Sequence, residues 1–418
     1  MLPTLILISL SGLIISKNFR FGPFNPFTVY FSIWTIFFIL FFIFQGLYVS
    51  TSTEYLLAHF CAQILAIVVM LVSKATDRRL PVGYILPYKY EPHLPTLNIL
   101  QSILVLSTPV VYQKATTFAR GESIFSVIGY MNLRYAFNEE GMNMGVLRYL
   151  YPLSFLVCAI TIYFASQKQV SKKRAAIAVF TAIFYAYLAT GRTFFLMLFA
   201  FTIPPLALTG KIKGKSLLIL GGVLMLFFFL VASMTAKGTS TDASIIENAM
   251  GFIDSAQSYV VAPFVALYMA FEKLHTFTGG ENTFRFIFSI LNSLGLAEAP
   301  AALVREYEYT PIITNIYSVY EVYVRDFGFA GFLIPPFFLF IHWWLYKKAK
   351  AGNTLFVFFY AASVYPLVTQ LLEDQYVSLL SMWIQTIFWC TILMRKRSQQ
   401  QAGNFHNANN SSYERLAP

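Results

Sequence analysis

From Phe27 to Tyr48 the chain carries no charged side chain at all. A bilayer-crossing helix needs roughly 17–25 predominantly apolar residues, and this stretch meets that length. Similar or shorter apolar runs recur at about Leu2–Ile15, Tyr55–Ser73, Leu97–Tyr112, Tyr149–Ser166, Ala175–Ala189, Phe194–Leu208, Ser216–Ser233, Phe327–Tyr346, Thr354–Leu371 and Val377–Met394. With 57% hydrophobic residues against 12% charged over 418 positions, a water-soluble domain would have no core large enough to hide its apolar surface. The expected fold class is therefore an all-α polytopic membrane protein of about eleven transmembrane helices. The first run lacks a positive leading region and a small-residue cleavage site, so it reads as a retained span.

Positive residues flanking short loops stay on the cytoplasmic side. Alternating eleven spans from an outer N-terminus puts twenty of the thirty basic residues on the inner face, among them Lys172–Arg174, Lys347–Lys350 and Arg395–Arg397. Sixteen of the nineteen acidic residues fall outside. The formal charge of +11 is thus a topological signal, and nucleic acid is not an expected partner. Three cysteines, Cys61, Cys158 and Cys390, lie inside apolar runs and form no disulfide framework or metal cluster. The five histidines lack ligand spacing, so no bound metal or other cofactor is expected.

The expected organisation is one integral membrane domain over 1–397 and a polar, disordered cytoplasmic tail over 398–418. Two outer segments, about 113–148 and 234–326, are too long to be turns and too aromatic to be disordered. In the second, Val260, Phe264, Leu267, Phe271 and Leu274 form the stripe of an amphipathic helix that lies on the bilayer or re-enters it.

At the end of that segment stands NIYSVYEVYVRDFGFAGF, from Asn315 to Phe332. On a helix Tyr317, Glu321 and Arg325 share a face, so the carboxylate and guanidinium pair, while Asp326 points about 100° away. One reading is an interfacial ion pair in an aromatic belt. The sharper reading is an anion-binding wall, in which the arginine fork matches phosphate oxygens and tyrosines face sugars. A second arginine, Arg192 in LATGRTFF, reads either as a snorkelling residue at a helix end or, with Gly191 permitting a turn, as part of the same site. Arg134, Glu139, Glu140, Glu272, His275, Glu281, Arg305, Glu306 and Glu308 read as solvated loop groups, and Glu373-Asp374 as a hydrophilic turn. The triplet Asp326-Phe327-Gly328 has no glycine-rich phosphate loop to make it kinase-like, and no P-loop is present.

Asn315, Tyr317, Ser318, Tyr323, Asp326, Phe327, Gly328 and Gly331, together with Gly191, Arg192 and Thr193, resemble the two motif blocks of Wzy-type O-antigen polymerases. The resemblance covers Ala175 to Leu380, with Ser318 where that family often has Thr. It implies a GT-C-like membrane glycosyltransferase of the bacterial inner membrane with its active site facing the periplasm. Such an enzyme moves a glycan from undecaprenyl diphosphate to the non-reducing end of another lipid-linked repeat unit, beside a flippase and a chain-length regulator of the same pathway. It further implies that Arg192 and Arg325 converge on the departing diphosphate and that Glu321 or Asp326 acts on the incoming hydroxyl. Tyr317, Tyr320, Tyr323, Asn315 and Arg285 would then bind substrate. An O-antigen ligase, a lipid-linked-glycan flippase and a non-catalytic assembly partner are the competing readings. Few charges inside the spans argue against the flippase.

Overall fold

The computed structural model describes residues 1–22, 24–76, 90–138, 140, 142, 144–212, 216, 219, 259–301, 305–311 and 313–396. Most of the expected span at Ser216–Ser233, all of the outer stretch 234–258, Glu139 and the tail 398–418 lie outside them. The described chain is mostly helical. Its helices are α1 (Leu2–Asn18), α2 (Pro26–Phe44), α3 (Thr53–Thr76), α4 (Leu94–Phe118), α5 (Val127–Asn138), α6 (Leu150–Ser166), α7 (Lys172–Leu188) and α8 (Arg192–Leu208). After these come α9 (Ala262–Glu272), α10 (Arg285–Ser293), α11 (Glu321–Phe327), α12 (Ile334–Lys350), α13 (Thr354–Val368) and α14 (Leu380–Leu393). Every expected span that falls on described residues is a helix.

Among the described residues five helical stretches are long and apolar enough to cross a bilayer: Pro26–Leu47, Thr53–Thr76, Leu94–Phe118, Gly145–Ser166 and Glu321–Lys350. Leu7, Ile43, Leu106, Phe180 and Ile387 stand exposed on their helices, as lipid-facing side chains do, because hydrocarbon does not penalise apolar surface. The molecule is a membrane-embedded helical protein. Local chemistry sets several helix starts. Asn25 accepts from Thr28 N at 2.9 Å ahead of Pro26, and Ser171 caps α7 through Arg174 N, each satisfying a donor the helix leaves open.

Contacts group the chain into two compact units. The first comprises Met1–Arg78, Gly222–Trp343 and Tyr365–Ser381. Its core is aromatic. Phe264 of α9 packs on Phe37, Phe41, Tyr55 and His59, and Tyr55 Oη donates to the carbonyl of Phe264 at 2.8 Å. The predicted stripe therefore belongs to an embedded helix: Val261 through Leu267 are all buried, with no polar face left over. The second unit comprises Arg79–Gly221, Trp344–Val364 and Met382–Pro418. There α6 is buried on nearly every side from Leu153 to Phe164, packed against α4, α7 and α8. The strands β1 (Tyr90–Pro92) and β4 (Met394–Lys396) pair antiparallel, the latter numbered after the short hairpin of β2 (Glu308–Tyr309) and β3 (Ile313–Thr314).

Loops that the charge pattern assigns to one side meet within each unit. Lys74 Nζ donates to Phe19 O at 3.3 Å and Arg395 pairs with Glu91 at 2.6 Å, all residues of the inner set. Ser52 donates to Glu272 at 3.1 Å, both of the outer set, and Tyr187 Oη, near the outer end of its expected span, donates to Ile124 O of the outer segment at 2.5 Å.

Candidate functional site

The charged residues at the head of α11 gather in the first unit. Glu321 accepts from Arg325 Nε one helical turn on, the pairing that i,i+4 spacing predicts. It also accepts from Arg305, at 2.8 Å from Nε to Oε1 and 3.3 Å from the terminal nitrogen to Oε2. Glu321 itself is buried, and Arg325 remains 29% exposed. Among the described residues the terminal nitrogens of Arg325 have no acceptor; the guanidinium lies 5.8 Å from the ring of Tyr317. One carboxylate thus orients two forks.

Arg305 extends the cluster. It donates to Asn282 Oδ1 at 2.8 Å, and its charge, after burial, depresses the pKa of Arg285. Arg285 opens α10 and donates from Nε to Ala301 O at 2.8 Å. Sequence reading placed Arg305 among solvated groups; only the fold carries it across sixteen positions to Glu321, and no local pattern signals that. Paired forks of this kind suit an anion, which arginine binds with two parallel hydrogen bonds.

Asp326, predicted beside Arg325 as a reacting carboxylate, is occupied with structural work. It accepts from the Thr278 hydroxyl, from Asn282 N at 3.1 Å and Nδ2 at 3.0 Å, and from Thr283 N at 2.6 Å. The loop 278–283 is fastened to the end of α11 by this side chain together with backbone bonds from Thr278 N to Arg325 O and from Gly279 N to Asp326 O, each 3.3 Å. The glycines that follow have steric reasons. Gly328 sits at φ +58° with an added Cβ 2.6 Å from the Phe277 ring, and a Cβ on Gly331 would meet Tyr323 O at 2.3 Å.

The tyrosines largely face the other way. Tyr320 and Tyr323 are fully buried. Tyr320 packs on Trp34, His59 and Phe332, and Tyr323 Oη donates to Asp374 Oδ1 at 2.8 Å. These two belong to the core and do not form a sugar-facing wall, since they occupy the flank of α11 opposite Glu321 and Arg325. Tyr317 is buried too; its hydroxyl donates to Glu306 O at 3.0 Å, and burial foremost, then nearby carboxylates led by Glu308, push its pKa up to about 12. Asn315 is half-buried just after β3.

A second segment meets α11. Val319 N donates to Gln370 O at 2.8 Å, so with the Tyr323–Asp374 bond the stretch 370–374 is stitched beside 319–323 at both ends. Asp374 collects donors from Tyr376 N, Val377 N and Ser378 N at 3.0–3.1 Å and from Ser378 Oγ at 2.9 Å. Burial still raises its pKa. Its neighbour Glu373 is exposed, yet desolvation, then the charges of Asp374 and Glu321, push its pKa up to about 7. A carboxyl that touches solvent while protein crowds it lies in a recess.

Arg192 is the first residue of α8, in the second unit, and its side chain lies outside the described residues. The preceding turn is not made by Gly191, which is extended at φ −94°; Thr190 takes the left-handed conformation at φ 56°. Compared with family models, with curated proteins and with solved structures, the chain matches none.

Proposed function

We propose that this protein is a surface-polysaccharide polymerase of a bacterial inner membrane. In this reading it transfers a glycan from undecaprenyl diphosphate to the non-reducing end of another lipid-linked repeat unit at the periplasmic face. The observation that carries the reading is the Arg305–Glu321–Arg325 arrangement, with the terminal donors of Arg325 open. When the sugar–phosphate bond breaks, negative charge grows on the diphosphate. Prepositioned guanidinium groups stabilise that charge more than they stabilise the bound substrate, which is what lowers the barrier. Arg325 and Arg305 are the first arms of the clamp, and Arg285 is a supporting cation. A flippase supplying lipid-linked repeats and a chain-length regulator are the proposed partners.

The test is complementation of a deletion strain, read as the lipopolysaccharide ladder on a gel. Arg325→Ala and Arg305→Ala are each expected to abolish the long-chain ladder, leaving core plus one repeat with the protein still in the membrane. Arg325→Lys is expected to be poor as well, since a point charge does not reproduce the fork. A normal ladder from Arg325→Ala would overturn the clamp. In the deletion strain itself, bare core would mark a ligase, and repeat units held on the inner face would mark a flippase.

A further inference from the structure

We infer that Glu373 is the group that receives the proton of the incoming sugar hydroxyl, an inference that rests on the polymerase reading above. Four carboxylates lie on α11 and on the turn 369–378 that is bonded to it, and their hydrogen bonds separate them. Asp326 is filled by the Thr278–Thr283 loop, Asp374 by its own turn and Tyr323, and Glu321 by two arginines. A carboxylate whose lone pairs are taken by protein donors is poorly placed to accept a proton from substrate. Glu373 is the exception: among the described residues its carboxylate has neither a hydrogen-bond nor an ion-pair partner, and it is exposed.

Its position is set by the two bonds that stitch the segments together. Val319 N to Gln370 O and Tyr323 Oη to Asp374 Oδ1, both 2.8 Å, bracket Glu321 on one strand of the seam and Glu373 on the other. The turn that carries the open carboxylate therefore lies against α11, near enough to Glu321 for its charge to act on Glu373. The titratable groups facing it are Asp374 from its own turn and Glu321 from α11, the latter neutralised by its arginines. A proton acceptor works best with a pKa near the working pH, and desolvation first, then the charges of Asp374 and Glu321, put Glu373 at about 7.

In the step itself, the hydroxyl oxygen of the acceptor sugar forms a bond to the anomeric carbon of the donor. The bond from that carbon to the phosphate oxygen breaks, and the diphosphate leaves with the electron pair against the arginines. The hydroxyl proton passes to the Glu373 carboxylate and from there to solvent, restoring the base.

The experiment uses the full-length protein in native membranes, with lipid-linked oligosaccharide extracted from cells lacking the protein as both donor and acceptor. Initial transfer rates are followed from about pH 5 to pH 9. Wild type is expected to rise with an apparent pKa near 7. Glu373→Gln is expected to be slower by about 10²–10⁴-fold, the usual worth of a general base, with that limb gone. Glu373→Asp is expected to retain part of the rate and a displaced limb. Because Glu373 is exposed and Gln matches its shape, folding of the variant is checked by an unchanged melting temperature near pH 4. A Glu373→Gln enzyme with the wild-type rate and limb overturns the assignment and leaves the polymerase reading intact. A wild type that lengthens no glycan takes both down.

Discussion

Asp326 and Asp374 do the same thing in different places, while Glu321 and Glu373, their companions in sequence, do not. Each aspartate is short and buried, and each gathers backbone N–H groups from a loop, 282–283 in one case and 376–378 in the other. Each glutamate is one methylene longer and reaches away from its backbone. Glu321 ends between two guanidinium groups, whereas Glu373 ends in solvent. The comparison teaches that a carboxylate's availability is decided by how many protein donors it already satisfies, and acidity or nearness to an arginine in sequence says little about that.

The sharpest way to break the contrast is Asp326→Ala. It strands Asn282 N and Thr283 N and takes one of two acceptors from the Asn282 amide, and each buried donor left unpaired costs about 1–3 kcal/mol. Purified in detergent, the variant is expected to unfold well below wild type and to accumulate poorly. An unchanged melt would mean that loop 278–283 is held by other contacts. Tyr323→Phe removes one of the donors to Asp374 and leaves four, so a loss of about 1 kcal/mol is expected, with the glycan ladder intact. A lost ladder would return Tyr323 to the substrate-binding set.

The smallest effect is expected from Glu373→Gln read as stability. The folded pKa of about 7 lies above the ordinary 4.5, so the folded state holds this proton more tightly than the unfolded chain does. The stability from the protonated form is fully present below about pH 4.5 and is lost as pH rises through about 7. Gln imitates the protonated carboxyl. Wild type and variant are therefore expected to melt alike near pH 4 and to diverge above about pH 7, with wild type the lower. Equal melting at about pH 8 would place Glu373 in open solvent, away from Asp374 and Glu321.

The helices were legible because a bilayer imposes their length and composition, and the loops that charge sorted to one side do meet. The Glu321–Arg325 pair was equally legible, because helical spacing alone brings i and i+4 together. Tyr320 and Tyr323 misled for the same reason that Glu321 did not. The repeat says which residues share a face, and only a neighbour such as Trp34 or Asp374 says what that face meets. The stripe on α9 was real as a pattern, but α2 and α3 surround it, so no bilayer surface is needed to cover it.

By itself the sequence determined that this protein is a helical membrane protein, where most of its described helices lie and that one arginine faces one glutamate across a helical turn. These follow from interactions local in the chain or from the solvent around it. Arg305 beside Glu321, the loop hung on Asp326 and the open carboxyl of Glu373 were decided by the tertiary structure. Each depends on segments far apart in sequence competing for the same few hydrogen-bond donors, and no local pattern records who wins.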